Sequence, residues 1–160
     1  MYDSKIDLSE HTRTEVANLL NDRLADAIDL GAQTKQAHWN VKGPHFIALH
    51  ELFDKVAENV EDHIDELAER ITALGFTAHG TIAAAVRRTS LKPYPEDITD
   101  GADHLEALSA ALAQFGKNIR RGIDQAGELG DADTADLFTG ISRDVDKYLW
   151  FLEAHLQGKR

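Results

Sequence analysis

Apolar residues at Val16, Leu19, Leu20, Leu24, Ala27, Ile28 and Gly31 recur with a 3.6-residue period, which predicts one long amphipathic helix in the first third of the chain. Thr12, with Glu15 three positions on, has the form of a capping box and marks its start; Gly43-Pro44 stops it. A second stripe, Phe46, Leu49, Phe53, Val56, Val60, Leu67, Ile71 and Leu74, predicts another long helix closed at Gly75. The pattern lapses over 76–99. There "TIAAAVRR" is long enough for two helical turns, whereas the prolines of "LKPYP" forbid a helix interior. The period returns at Leu105, Leu108, Leu112, Phe115, Ile119 and Ile123, after Thr99 or Asp100 as cap and before Gly127 and Gly130. A last stripe, Leu137, Ile141, Val145, Tyr148, Leu152 and Leu156, follows Asp133 as cap and ends at Gly158. No alternating strand pattern or internal repeat interrupts this order.

Antiparallel neighbours need only short loops, so the 24-residue connection over 76–99 places the second and third long helices parallel. The expected fold is all-α: a ferritin-like four-helix bundle with a short extra helix in the crossover. The 160 residues, 42% of them hydrophobic, suffice for one core and predict a single domain over 1–160, with 1–11 as a short N-terminal arm. No apolar run approaches the roughly 18 residues of a membrane span, and "MYDSKIDLSEHTRTE" lacks the basic-then-apolar order of a signal peptide, so a cytoplasmic location is expected. The absence of cysteine excludes disulfides, thiolate metal sites and a cysteine nucleophile; any metal must be held by His, Asp and Glu. A net charge of −11 opposes binding to polyanions and favours cationic partners.

Two pairs on the second helix have the spacing of metal ligands. His50 and Asp54, and likewise Asp65 and Glu69, stand four residues apart, so each pair presents two donors from one face. All four fall within an arc of about 100° beside the apolar stripe, but Asp54 and Asp65 are about 16 Å apart along the axis. One helix cannot close both pairs on one ion. Two antiparallel copies could, which hints at a site shared between subunits. No Glu is followed three positions later by His, so the Glu-x-x-His device of an internal di-iron bundle is missing. Spacing alone leaves other readings open. Acidic pairs of this kind are commonly solvated surface, and Glu58 and Glu61 share the arc. His38 reads equally as a core imidazole, His45 as the first residue of the second helix, and Trp39 as core filling.

The segment "TKQAHWNVKGPHFIALHELFD", followed by "DHIDELAER", resembles the Dps family, small ferritin-like proteins that protect DNA in starved or oxidatively stressed bacteria. The likeness continues through "LKPYPEDI" and "DTADLFTGISRDVDKYLWFLEAH" and covers almost the whole chain. It implies a hollow homo-dodecamer and a ferroxidase centre shared across a two-fold axis. Position by position, His38, His50 and Asp54 match the ligands from one subunit, and Asp65 and Glu69 those from its partner. Trp39 matches a tryptophan beside the centre that quenches radicals. Glu128, Asp131, Asp133 and Asp136 lie where similar proteins line three-fold pores with acidic residues for iron entry.

The activity the resemblance implies is oxidation of Fe(II), preferably by hydrogen peroxide, with ferric oxide stored in the cavity. Iron is the expected metal, although the Irving–Williams order lets zinc or another divalent ion compete for such donors. A bundle that merely sequesters divalent metal would bind without turnover. The alternative function is a structural nucleoid protein that coats DNA. Some relatives do so with a lysine-rich tail, but residues 1 to 15 hold Lys5 and Arg13 against Asp3, Asp7, Glu10 and Glu15. At the other end only Lys159 and Arg160 follow the last helix, a weak footprint for phosphate binding, so weak or absent DNA affinity is expected.

Overall fold

The computed structural model describes residues 1–158, and the five expected helices are all there: α1 (Glu10–Asn40), α2 (Phe46–Ala73), the short α3 (Ile82–Arg88), α4 (Gly101–Glu128) and α5 (Ala132–Gln157). Among the described residues no strand forms; the one isolated bridge joins Lys42 to Asp100. That bridge decides the topology. The Lys42 amide donates to Thr99 O at 2.9 Å, so α2 and α4 begin at the same end and run parallel. At the opposite end Arg13 of α1 donates to Leu74 O at 3.1 Å, which makes α1 and α2 antiparallel. The α1–α2 and α4–α5 pairs pack most extensively, and their stripes meet in one core around Leu20, Leu24, Phe53, Phe115 and Phe138. Gly122 is required here, because a Cβ would stand 3.0 Å from the Phe138 ring.

Three helix ends differ from the sequence reading. α1 starts a turn earlier, at Glu10, because the Ser9 hydroxyl accepts from the Thr12 amide at 3.1 Å and satisfies an otherwise orphan donor. The extra turn carries Arg13 to its contact with Leu74. α4 runs through Gly127, and Gly130 (φ 80°) terminates it: the Gly130 and Asp131 amides bond back to the Gly127 and Ala126 carbonyls. The N-cap of α5 is Asp131, not Asp133, which sits in the first turn and complements the helix dipole instead.

Asp131 is also the clearest departure among the acidic candidates. It is 2% exposed, and its carboxylate accepts both from Arg70 (2.8 and 3.0 Å) and from the Thr134 amide and hydroxyl. It is committed to joining the end of α2 to the start of α5. Burial pushes this carboxyl up, but the Thr134 bonds and the Arg70 guanidinium together hold it below its ordinary value of 3.8. A carboxylate depressed in the folded state stabilises the fold above that value and loses the contribution as pH falls through the folded one. Replacing Arg70 by Met should therefore weaken the fold at neutral pH and flatten the loss of stability below pH 3.8, as read by urea unfolding across an acid series. An unchanged acid slope would contradict this.

The crossover is tied to α1 by a stripe of polar side chains. Asn21 bonds the Thr77 carbonyl and the His79 amide, and Asp22 pairs with Arg88 at 2.9 Å. Asp26 accepts from the Ser90 amide and hydroxyl and from Asn118 of α4. Asp29 accepts from the Thr89 hydroxyl, and Gln33 donates to Lys92 O at 3.0 Å. These bonds satisfy crossover backbone that has no secondary structure to satisfy it. Among the described residues no helix is long and apolar enough to cross a membrane.

Candidate metal centre

The end of α1 and the start of α2 are held together by two histidines. His38 Nδ1 lies 2.8 Å from the His50 carbonyl oxygen, and His50 Nδ1 lies 2.9 Å from that of His38. A carbonyl can only accept, so both Nδ1 atoms carry a proton, and Nε2 is the nitrogen whose lone pair can serve a metal. The two rings stack with centroids 3.7 Å apart and planes 21° apart. Such an orienting bond to the second nitrogen is what fixes a ligating imidazole. His38 is 9% exposed, and its Nε2 is 3.9 Å from Asp54 Oδ1, so an imidazole and a carboxylate of the expected types approach each other, with the His50 ring stacked behind them.

Lys35, one turn before His38, donates to Asp54 Oδ1 at 2.7 Å. The sequence reading missed this residue, although its place three positions before His38 puts it on the same helix face. The Lys35 hydrogen bond holds the Asp54 carboxyl below its ordinary value, against partial desolvation and with help from His38, Lys35 and His50 charge. Lys35 thus occupies a lone pair that a cation would take. Replacing Lys35 by Met should tighten binding of zinc, a redox-inert probe, several-fold in calorimetry. Equal affinity would show that the ammonium does not stand in the way.

Asp65 and Glu69 lie farther along α2, exposed to solvent. They do not join His38, His50 and Asp54 within one chain. Among the described residues no group of three or more His, Asp or Glu side chains is arranged to hold a metal ion. Trp39 is not core: it is 67% exposed, with the Lys35 ammonium 6.0 Å from its ring centre. His45 is the N-terminal boundary residue of α2 and makes no side-chain cap. At the far end Glu128, Asp133 and Asp136 are exposed around the α4–α5 turn, whereas Asp131 is buried.

Residues 17–160 match the family described as Ferritin-like domain. The chain is 49% identical to the DNA protection during starvation protein of Agrobacterium fabrum, over 98% of this chain and 96% of that one. It is 34% identical to the protein of the same name from Mycolicibacterium smegmatis, over 94% and 81%. Among solved structures, Dps from Mycobacterium smegmatis superposes with a TM-score of 0.94 at 32% identity, covering 99% of this chain and 95% of that one. A Dps protein from Vibrio cholerae, described as a member of a broad superfamily of ferritin-like diiron-carboxylate proteins, gives 0.91 at 29% identity and 98% of each chain. The Dps motifs, the parallel α2 and α4, and these likenesses agree: the chain belongs to the Dps family of ferritin-like proteins.

Proposed function

We propose that this chain is a ferroxidase and iron-storing mini-ferritin. Its substrate Fe(II) binds between His38, His50 and Asp54 of one subunit and Asp65 and Glu69 of the partner subunit, in a hollow homo-dodecamer. The observation that carries the reading is the reciprocal Nδ1 lock, which reserves both Nε2 atoms for a ligand and sets the His38 Nε2 beside the Asp54 carboxylate. A half-site with only three donors needs carboxylates from elsewhere, and Asp65 and Glu69 stand exposed on the same helix, about 16 Å and about 22 Å from Asp54 along its axis. The exposed Trp39 beside the half-site is large apolar surface of the kind that partner contacts cover.

Two ferrous ions held together each give up one electron. Hydrogen peroxide, the preferred oxidant, takes both with two protons and leaves as water. Each imidazole binds through Nε2, the nitrogen that the Nδ1 lock leaves for the metal, and the carboxylates offset the growing positive charge. Glu128, Asp133 and Asp136 form the acidic surface that attracts incoming cations; Asp131 is occupied by Arg70 and drops out of that set. Zinc and other divalent ions compete for the same donors.

Protection of DNA then follows from removing ferrous iron and peroxide together, not from coating. Arg13 is buried against Leu74, which leaves Lys5 as the exposed one of the two Lys and Arg side chains in the acidic N-terminal segment. Lys159 and Arg160 lie outside the described residues. The test is to load apoprotein anaerobically with Fe(II), add peroxide or dioxygen, and follow ferric absorbance. Faster oxidation than in protein-free buffer, and faster with peroxide, is expected. Oxidation at the buffer rate would overturn the reading, and binding without turnover would leave a metal sequestrant.

A further inference from the structure

We propose that Tyr94 and His104 form a proton-coupled redox pair that surrenders one electron to oxidants generated at the metal centre. Tyr94 stands between Pro93 and Pro95 in the crossover, half-buried, and its hydroxyl lies 2.6 Å from His104 Nδ1. The two rings are nearly parallel, at 16° with centroids 6.1 Å apart. His104, in the first turn of α4, is 1% exposed.

The protonation states suit such a pair. Burial lowers the tendency of His104 to protonate, outweighing the Asn40 backbone and the charges of Asp103 and Asp100, so the resting imidazole is neutral. Burial likewise pushes the Tyr94 phenol further above its already high range. The phenol therefore holds its proton, and with the Nε2 proton directed at the Asn40 backbone it donates toward the Nδ1 lone pair. An oxidised phenol is a strong acid, so a base already at hydrogen-bond distance lets the proton leave with the electron. The other imidazole nitrogen, Nε2, is buried and faces the Asn40 backbone. A polar Tyr–His pair buried at this depth is costly as mere packing, where Phe and Leu would fill the same space.

Position connects the pair to both sides of the half-site. The His104 ring is 6.4 Å from that of Phe53, the residue before Asp54. The Asn40 backbone that approaches His104 follows Trp39 directly. On its outer side Tyr94 lines a cleft of about 430 Å³ with Gln33, Lys92, Pro95 and Gln114, open to small reductants.

The oxidant arises when a lone ferrous ion meets hydrogen peroxide. It gives one electron, leaving ferric ion, hydroxide and a hydroxyl radical. One electron from Tyr94 then reduces that radical to hydroxide, or returns a Trp39 cation radical to the intact indole. The phenolic proton moves to His104 Nδ1, and the products are a neutral tyrosyl radical and an imidazolium. A thiol or enediol reductant in the cleft restores the electron, and His104 returns the proton.

The source of oxidant rests on the ferroxidase reading; the pair itself does not, and two experiments separate them. In the first, metal-free protein is oxidised by a flash-generated ruthenium(III) tris-bipyridine complex and the tyrosyl radical is followed by transient absorption and electron paramagnetic resonance. Wild type should give radical about tenfold or more faster than Tyr94→Phe, which keeps Tyr2 and Tyr148, and than His104→Gln, whose amide accepts the hydrogen bond but not the proton. Undiminished signal in Tyr94→Phe would overturn the proposal, and undiminished signal in His104→Gln, with helicity intact, would remove His104 from it. In the second, protein carrying less than one Fe(II) per site receives peroxide. The same radical should appear in wild type and vanish in Tyr94→Phe, with ferric formation unchanged. Ferric product without a Tyr94 radical would overturn the proposal; no ferric product in wild type would overturn the ferroxidase reading alone and leave the first experiment to decide this one.

Discussion

Replacing His50 by Leu is expected to slow peroxide-driven oxidation of Fe(II) by about a hundredfold or more while the helical content stays the same. The substitution removes one Nε2 lone pair and the stacking partner of His38. It spares the carbonyl of residue 50, which is backbone, so the bond that orients His38 survives. The loss therefore falls on coordination and not on the α1–α2 junction. Stopped-flow ferric absorbance gives the rate and circular dichroism the fold. A rate within about threefold of wild type would mean that residue 50 supplies no essential donor.

Replacing Asp26 by Ala is expected to be the most damaging single change to stability that leaves the centre untouched. Asp26 is 0% exposed and accepts from the Ser90 amide at 2.7 Å, the Ser90 hydroxyl, and Asn118 at 3.0 Å, with Arg23 Nε 3.2 Å away. Its removal leaves several donors without an acceptor and a guanidinium without a counter-charge, a loss of about 3 kcal/mol or more. For a domain of this size that lowers the melting temperature by about 6–12 °C. Asp22 makes the contrast: its pair with Arg88 is partly exposed on both sides, so Asp22→Ala should change stability by less than about 1 kcal/mol. Calorimetric scans of the two variants side by side check the pair. Similar melting temperatures would show that the Asp26 network does not anchor the crossover.

The long helices were legible because each buries one face, and a buried face writes its 3.6-residue period into the sequence. The topology was legible for a different reason: only a parallel pair needs a connection as long as 76–99. Helix ends were less so, since several residues near each boundary were chemically able to cap. Ser9 rather than Thr12, and Asp131 rather than Asp133, prevail because tertiary contacts of Arg13 and Arg70 favour those starts. The polar stripe Asn21, Asp22, Asp26, Asp29 and Gln33 was visible at helical spacing, yet its partners at Thr77, Arg88, Thr89, Ser90 and Lys92 lie far along the chain and no local rule connects them. At the centre, donor types and spacing could be read directly. The crossed Nδ1-to-carbonyl bonds could not, because they exist only once the turn between α1 and α2 folds the two histidines together. Nor could the Lys35–Asp54 pair, which spans the same turn.

A ferrous site built from two subunits is tested most directly by mixing two incomplete proteins. One variant carries His50→Leu with Asp54→Ala and keeps Asp65 and Glu69; the other carries Asp65→Ala with Glu69→Ala and keeps the histidine half-site. Each assembled alone should oxidise Fe(II) no faster than buffer. Dissociated and reassembled together at equal amounts, they pair at random across the two-fold, and one of the two sites in each mixed pair is whole, so about a quarter of wild-type activity should return. Mixed shells no more active than their parents would contradict a centre shared between subunits.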